Sequence, residues 1–200
     1  MGREQLVYPR TPLFPGSRPQ EIALHLDLFV ATAAELQRRD PGLKVVVSAA
    51  PHVRIPPERC PYPTVTASSF RLLRAADAAM CKSGTTTLEA AVALCPMVVA
   101  YRTDAITFAI ASRVVKIPYI GLVNVVAGRR VAPEFIQNDL VPSSVADALQ
   151  PLLDHGSPAR KAMIDELERV RGSLGEAGAA ARVATIAVAL AGGRPRARAS

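Results

Sequence analysis

Apolar residues recur at three- and four-residue steps through Ile22, Leu26, Phe29, Val30, Ala33 and Leu36. That spacing puts them on one face of a helix over 19–39, which opens after the turn Pro15-Gly16-Ser17-Arg18 and stops at Asp40-Pro41-Gly42. Short apolar runs at 43–47, 76–81, 97–101 and 118–123 read as buried strands. Leu13-Phe14 closes another strand ahead of the long helix, and Thr64-Val65-Thr66 adds one more. Between them the pattern returns to helical spacing at 70–75 behind Ser68, at 86–94 behind a hydroxyl-rich turn, and from Asp104 to about 115. Strands and helices alternating over short loops imply an α/β fold: a Rossmann-like parallel sheet with helices on both faces. Past Asn124 only helical patterns remain, at 133–138, 143–153, 158–172 and 176–191. The chain thus divides into a short N-terminal stretch over 1–10, a Rossmann-like domain over 11–140, a helical segment over 141–191 and a basic tail over 192–200, expected to be disordered.

Composition narrows the function. The 200 residues are 50% hydrophobic and 20% charged, enough for one well-buried domain with a helical appendage. The net charge of +7 suits an anionic ligand or an anionic membrane surface, although Arg194, Arg196 and Arg198 in the tail supply part of it. Four Tyr, five Phe and no Trp leave little for a base-stacking platform, so no nucleic-acid partner is expected. Cys60, Cys81 and Cys95 form no CxxC pair, and the last two lie in apolar segments as small buried hydrophobes, a usage that fits a reducing compartment. The first residues lack the apolar core of a signal peptide, and no apolar run approaches the roughly 18 residues of a membrane span. A cytoplasmic protein, peripheral to a membrane at most, is expected.

Two turns carry the chemistry. In Gly16-Ser17-Arg18 the glycine permits close backbone approach and the arginine can neutralise a phosphate. The run from Cys81 to Glu89 offers more: a Gly turn, four hydroxyls and free N–H groups at a helix N-terminus. Glu89 follows one turn later and can accept from a sugar hydroxyl. In a parallel sheet both turns open on the carboxyl edge of the strands and can face one ligand. The alternative is a capped helix, with Thr85 or Thr86 as cap and Glu89 as capping-box partner. A third polar cluster, Asn124 with Gly128, Arg129 and Glu134, is either a solvated loop or a set of buried groups whose partners include a ligand. His25, His52 and His155 are scattered without metal spacing. There is no GxGxxG, no GxxxxGK[ST] and no evident Ser/His/Asp or Cys/His arrangement. The apolar stretch 106–116 with Arg113 and Lys116 either buries one face or lies on a membrane interface.

Three blocks, PGSRPQEI (15–22), KSGTTTLEAAVALCPMVVAYR (82–102) and PYIGLVNVVAGRRVAPEFIQND (118–139), closely resemble the C-terminal half of the lipid-A-disaccharide synthases in order and spacing. The resemblance runs from about Leu13 to Ala191. It implies the C-terminal domain of an inverting GT-B glycosyltransferase. It also implies the reaction: UDP-2,3-diacylglucosamine joined to 2,3-diacylglucosamine 1-phosphate, giving UDP and the β-1,6 disaccharide of lipid A. The implied setting is the cytoplasmic side of a Gram-negative-type inner membrane, in peripheral association. By motif match, Gly16, Ser17 and Arg18 lie near the UDP diphosphate, as do Ser83, Gly84 and Thr85. Glu89 accepts from the ribose hydroxyls, and Asn124, Arg129, Glu134 and Gln137 complete the donor pocket. No metal and no cofactor are expected, since the chain has neither an Asp-x-Asp pair nor a His cluster. The family's N-terminal domain, which binds the acceptor and supplies the general base, has no counterpart in this sequence. The chain is therefore expected to be a donor-binding half, inactive alone, with an N-terminal half or a second copy as partner. The segment 51–64 is shorter than the family's usual insertion. A non-catalytic nucleotide-binding module, or another GT-B enzyme with a lipid-linked acceptor, are the other readings the residues allow.

Overall fold

The apolar runs become strands where both of their faces are covered. The computed structural model describes residues 11–104, 108, 118–175 and 178–191. Its strands are β1 (Thr11–Phe14), β2 (Val45–Ser48), β3 (Thr64–Val65), β4 (Ala79–Lys82), β5 (Met97–Tyr101) and β6 (Glu134–Ile136). They form one parallel sheet in the order β3-β2-β1-β4-β5-β6. Ala79, Met80, Cys81 and Met97 to Ala100 are wholly buried, as central strands of a two-sided parallel sheet must be.

The helices are α1 (Pro19–Arg39), α2 (Ser69–Ala75), α3 (Thr86–Ala93), α4 (Leu122–Ala127), α5 (Pro142–Leu153), α6 (Pro158–Ser173) and α7 (Ala179–Leu190). Ile22, Leu26, Phe29, Ala33 and Leu36 form the buried face of α1, with His25 and Thr32 among them. Pro19 starts the helix where its missing N–H costs nothing, and Arg38 and Arg39 sit at its negative end. Crossovers between parallel strands are right-handed. The leftward step from β1 to β2 therefore puts α1 on one face, and the rightward steps put α2, α3 and α4 on the other. Packing agrees: α1 meets α5, whereas α2, α4 and α6 meet α3.

One stretch departs from the sequence expectation. Residues 118–123 do not form a strand, and of 133–138 only Gln137 and Asn138 are helical, in a 3-10 turn that runs to Asp139. Instead α4 begins after Gly121, and Glu134–Ile136 supplies the sixth strand, pairing Val99 with Glu134 and Tyr101 with Ile136. A short apolar run carries no periodicity that separates strand from buried helix. Here the Glu134 carboxylate decides, accepting from the amides of Ile120 and Gly121 at the start of α4. Gly128, at φ +65°, closes that helix in the left-handed conformation. Strand β4 also begins later than expected, at Ala79, and Ser68 precedes α2 without a side-chain capping bond. Of the helix expected from Asp104, only Asp104 and Phe108 are described, joined by a 3.0 Å backbone hydrogen bond. The rest of it, the stretch 1–10 and the tail over 192–200 lie outside the described residues. Cys60, Cys81 and Cys95 are all free and buried, and burial pushes the Cys95 thiol up to about 12.

Candidate functional site: a cleft at the sheet's switch point

Strands β1 and β4 are neighbours, with Leu13 opposite Met80 and Phe14 opposite Cys81. From β1 the chain runs outward to β2, and from β4 it runs the other way to β5. Helices α1 and α3 consequently leave the carboxyl edge on opposite faces, and a crevice opens between their first turns. The crevice measures about 720 Å³ and is lined by Gly16, Ser17, Arg18, Ser83, Gly84, Thr85 and Glu89. Its far wall comes from the end of β2, the loops after β2 and β3 and the start of α2, including Ser48, Pro51, Thr66 and Ser69. This volume suits a ligand of nucleotide size.

The two turns differ in how their side chains are engaged. The Arg18 side chain is 80% exposed, and its contact with Glu21 is long, at 3.8 Å. Gly16, at φ +132°, bends the chain so closely over α1 that a Cβ there would lie 2.5 Å from Glu21 Cβ. Across the crevice, Thr85 caps α3 in helical conformation and makes no side-chain capping bond. Glu89 does not reach back in a capping box; its carboxylate accepts from the Ser69 hydroxyl and ties α3 to α2. The capped-helix alternative thus does not describe this turn. Ser83 continues the sheet, its amide donating to Ala100 O at 2.9 Å and its hydroxyl to Ile120 O at 2.6 Å.

Sequence reasoning passed over two charged residues here. Lys82, the last residue of β4, lines the crevice with its Nζ 2.9 Å from Glu21 Oε1 and 5.9 Å from the centre of the Tyr101 ring. Glu21 lies at the third position of α1, in a capping box with Arg18. Partial burial pushes the Glu21 carboxyl up, but the Lys82 ammonium and the amides of Ser17 and Arg18 outweigh it and hold it below the ordinary value. The signal for Glu21 was its position three residues after Arg18, where a capping box is read. Lys82 was hidden at the end of an apolar strand.

Asn124, Arg129, Glu134 and Gln137 do not line this crevice, and each has partners elsewhere in the protein, Arg129 at the surface. Asn124 is fully buried, and four hydrogen bonds use its amide completely. It donates to Ala132 O and Glu134 Oε1 and accepts from the amides of Val131 and Ala132, at 2.7–2.9 Å. Gln137 exchanges two bonds with the Thr103 backbone, and Arg129 pairs with Glu166 on α6. These residues fix the 118–139 segment, and the Ser83 hydroxyl ties that segment to the crevice. Among the described residues no group of His, Cys, Asp and Glu is arranged to hold a metal ion.

Residues 3–186 match the family model described as Lipid-A-disaccharide synthetase. The chain belongs to this family. A lipid-A-disaccharide synthase of Anaeromyxobacter sp. (strain K) is 39% identical over 180 residues, covering 86% of this chain and 47% of the relative. One from Pseudomonas aeruginosa (strain LESB58) is 43% identical over 153 residues, covering 72% of this chain and 40% of the relative. The chain therefore spans less than half the length of these synthases. Among solved structures, the glycotransferase of kitacinnamycin superimposes with a TM-score of 0.58 at 18% identity, covering 94% of this chain and 44% of that one. That likeness is one of fold, the Rossmann-like half of a GT-B glycosyltransferase. Blocks 15–22 and 82–102, on which the chain resembles the lipid-A-disaccharide synthases, supply the two sides of the crevice.

Proposed function

We propose that this chain is the donor-binding half of a lipid-A-disaccharide synthase, taking UDP-2,3-diacylglucosamine in the crevice between β1 and β4. The observation that carries the reading is the convergence of the Gly16–Arg18 and Ser83–Thr85 turns on one nucleotide-sized space. In the reaction, the 6-hydroxyl of 2,3-diacylglucosamine 1-phosphate attacks the anomeric carbon. The bond from that carbon to the diphosphate oxygen breaks with inversion, and UDP departs carrying the electron pair. Charge develops on the leaving phosphate, so the Arg18 guanidinium and the N-termini of α1 and α3 stabilise the transition state more than the bound donor. Ser17, Ser83, Gly84 and Thr85 surround the phosphates, and Glu89 accepts from the ribose. Asn124, Arg129, Glu134 and Gln137 serve the pocket by holding its neighbouring segment in place. The acceptor and the general base that takes its proton belong to an acceptor-binding half. The protein works on the cytoplasmic face of the inner membrane as a peripheral enzyme, and its net charge of +7 favours an anionic surface there. No helix among the described residues is long and apolar enough to cross a membrane.

Calorimetric titration with UDP tests the reading. The folded chain binds UDP, and Arg18→Ala weakens binding by roughly tenfold, as loss of a charge-assisted contact predicts. Absence of UDP binding by the folded wild-type chain overturns the assignment.

A further inference from the structure

The crevice already contains one anion of its own. Glu21 Oε2 accepts from the amide of Ser17 at 2.9 Å and from that of Arg18 at 3.3 Å. Its Oε1 lies 2.9 Å from Lys82 Nζ and 3.8 Å from the Arg18 guanidinium. Two backbone N–H groups and two cations thus converge on one carboxylate, which is the donor set a phosphate requires. The carboxylate lies over Gly16, where a Cβ would come within 2.7 Å of Oε2. Helix capping accounts for the two amide bonds. It does not account for Lys82, which reaches Glu21 from a different strand, 61 residues along the chain, and lines the same crevice.

We propose that the Glu21 carboxylate is a displaceable stand-in for the diphosphate of the nucleotide donor, and that Lys82 transfers from Glu21 to that diphosphate when the donor binds. The inference rests on the donor-binding reading above. A carboxylate seated among these groups keeps Lys82 and the first turn of α1 in position while the site is empty of nucleotide. A diphosphate carries more negative charge than the carboxylate and competes for the same donors. It must move Glu21 aside, and the apparent affinity is reduced by the fraction of chains in which Glu21 holds the seat.

Calorimetry with UDP and with uridine, which lacks phosphates, on the wild type, Glu21→Gln and Lys82→Met separates the possibilities. Glu21→Gln is expected to bind UDP roughly three- to tenfold more tightly, because it removes the competing charge while its amide oxygen still accepts from the helix. Lys82→Met is expected to weaken UDP by roughly tenfold or more. Neither substitution changes uridine binding. UDP affinity that is unchanged or lowered in Glu21→Gln overturns the stand-in, as does an equal shift for uridine. A folded wild type that binds neither ligand overturns the donor-binding reading itself. Should a variant not fold, the wild type still decides by NMR of carbon-13-labelled protein: the Glu21 carboxyl resonance moves on saturation with UDP and not with uridine. A resonance that UDP leaves in place sinks the proposal.

Discussion

His25 shows how one buried side chain links the crevice to stability. Its Nε2 accepts from the Arg102 amide at 2.9 Å, which leaves Nδ1 as the protonated nitrogen, donating to Glu21 O at 2.7 Å. Burial depresses the imidazole below 6.5, and the Lys82 and Arg102 charges push the same way against the Glu21 contacts. The unfolded chain therefore takes up the proton first. The stability gained from neutral His25 is full above pH 6.5 and is lost as pH falls toward the lower folded value. Thermal melts from pH 7.5 to 5 should show the wild type losing stability faster than His25→Phe; parallel curves would count against this assignment. Asn124 works at the same scale. Asn124→Ala strands the amides of Val131 and Ala132 in a buried position, and chemical denaturation should register a loss of roughly 3 kcal/mol.

Among the elements, those defined by punctuation and period were legible in sequence. Helix α1 and strand β5 have the bounds their patterns give, because Pro19, Asp40 and Pro96 mark their ends and tertiary packing does not override them. The two strand-to-helix turns were legible for the same reason: glycine and hydroxyl residues sit where the period changes from strand to helix. The exchange of strand and helix in 118–139 was not legible. It turns on Glu134, whose carboxylate reaches back to Ile120 and Gly121, and no local spacing encodes that contact. Asn124 was visible as a polar residue in an apolar run, but its four partners lie in a hairpin-like return of the backbone that the pattern does not show. Lys82 and Glu21 meet only because β1 and β4 are neighbours, so neither residue alone announced the pair.

At the scale of the molecule, the sheet and the helices on its two faces supply most of the buried core among the described residues. Helix α7 stands apart from it. Val183, Ile186, Val188 and Leu190 are all exposed, the last at 84%. An element that buries so little apolar surface contributes little to folding. Replacing Val183 and Ile186 together by Glu should leave the melting temperature within about two degrees of the unaltered chain. A larger fall in a circular dichroism melt would place α7 in the cooperative core.

The pairing of Phe14 with Cys81 brings together segments that enter the chain far apart. Neither turn of the crevice is therefore a miniature of the site. A peptide carrying residues 11–22, or one carrying 79–93, has a glycine turn but no opposite wall. Closing so long a loop is entropically expensive and comes late in assembly. A growing polypeptide holds no partly formed crevice before β4 docks beside β1. Under the donor-binding proposal, affinity for the nucleotide arrives with the fold as a whole, and products lacking that strand pair do not bind it.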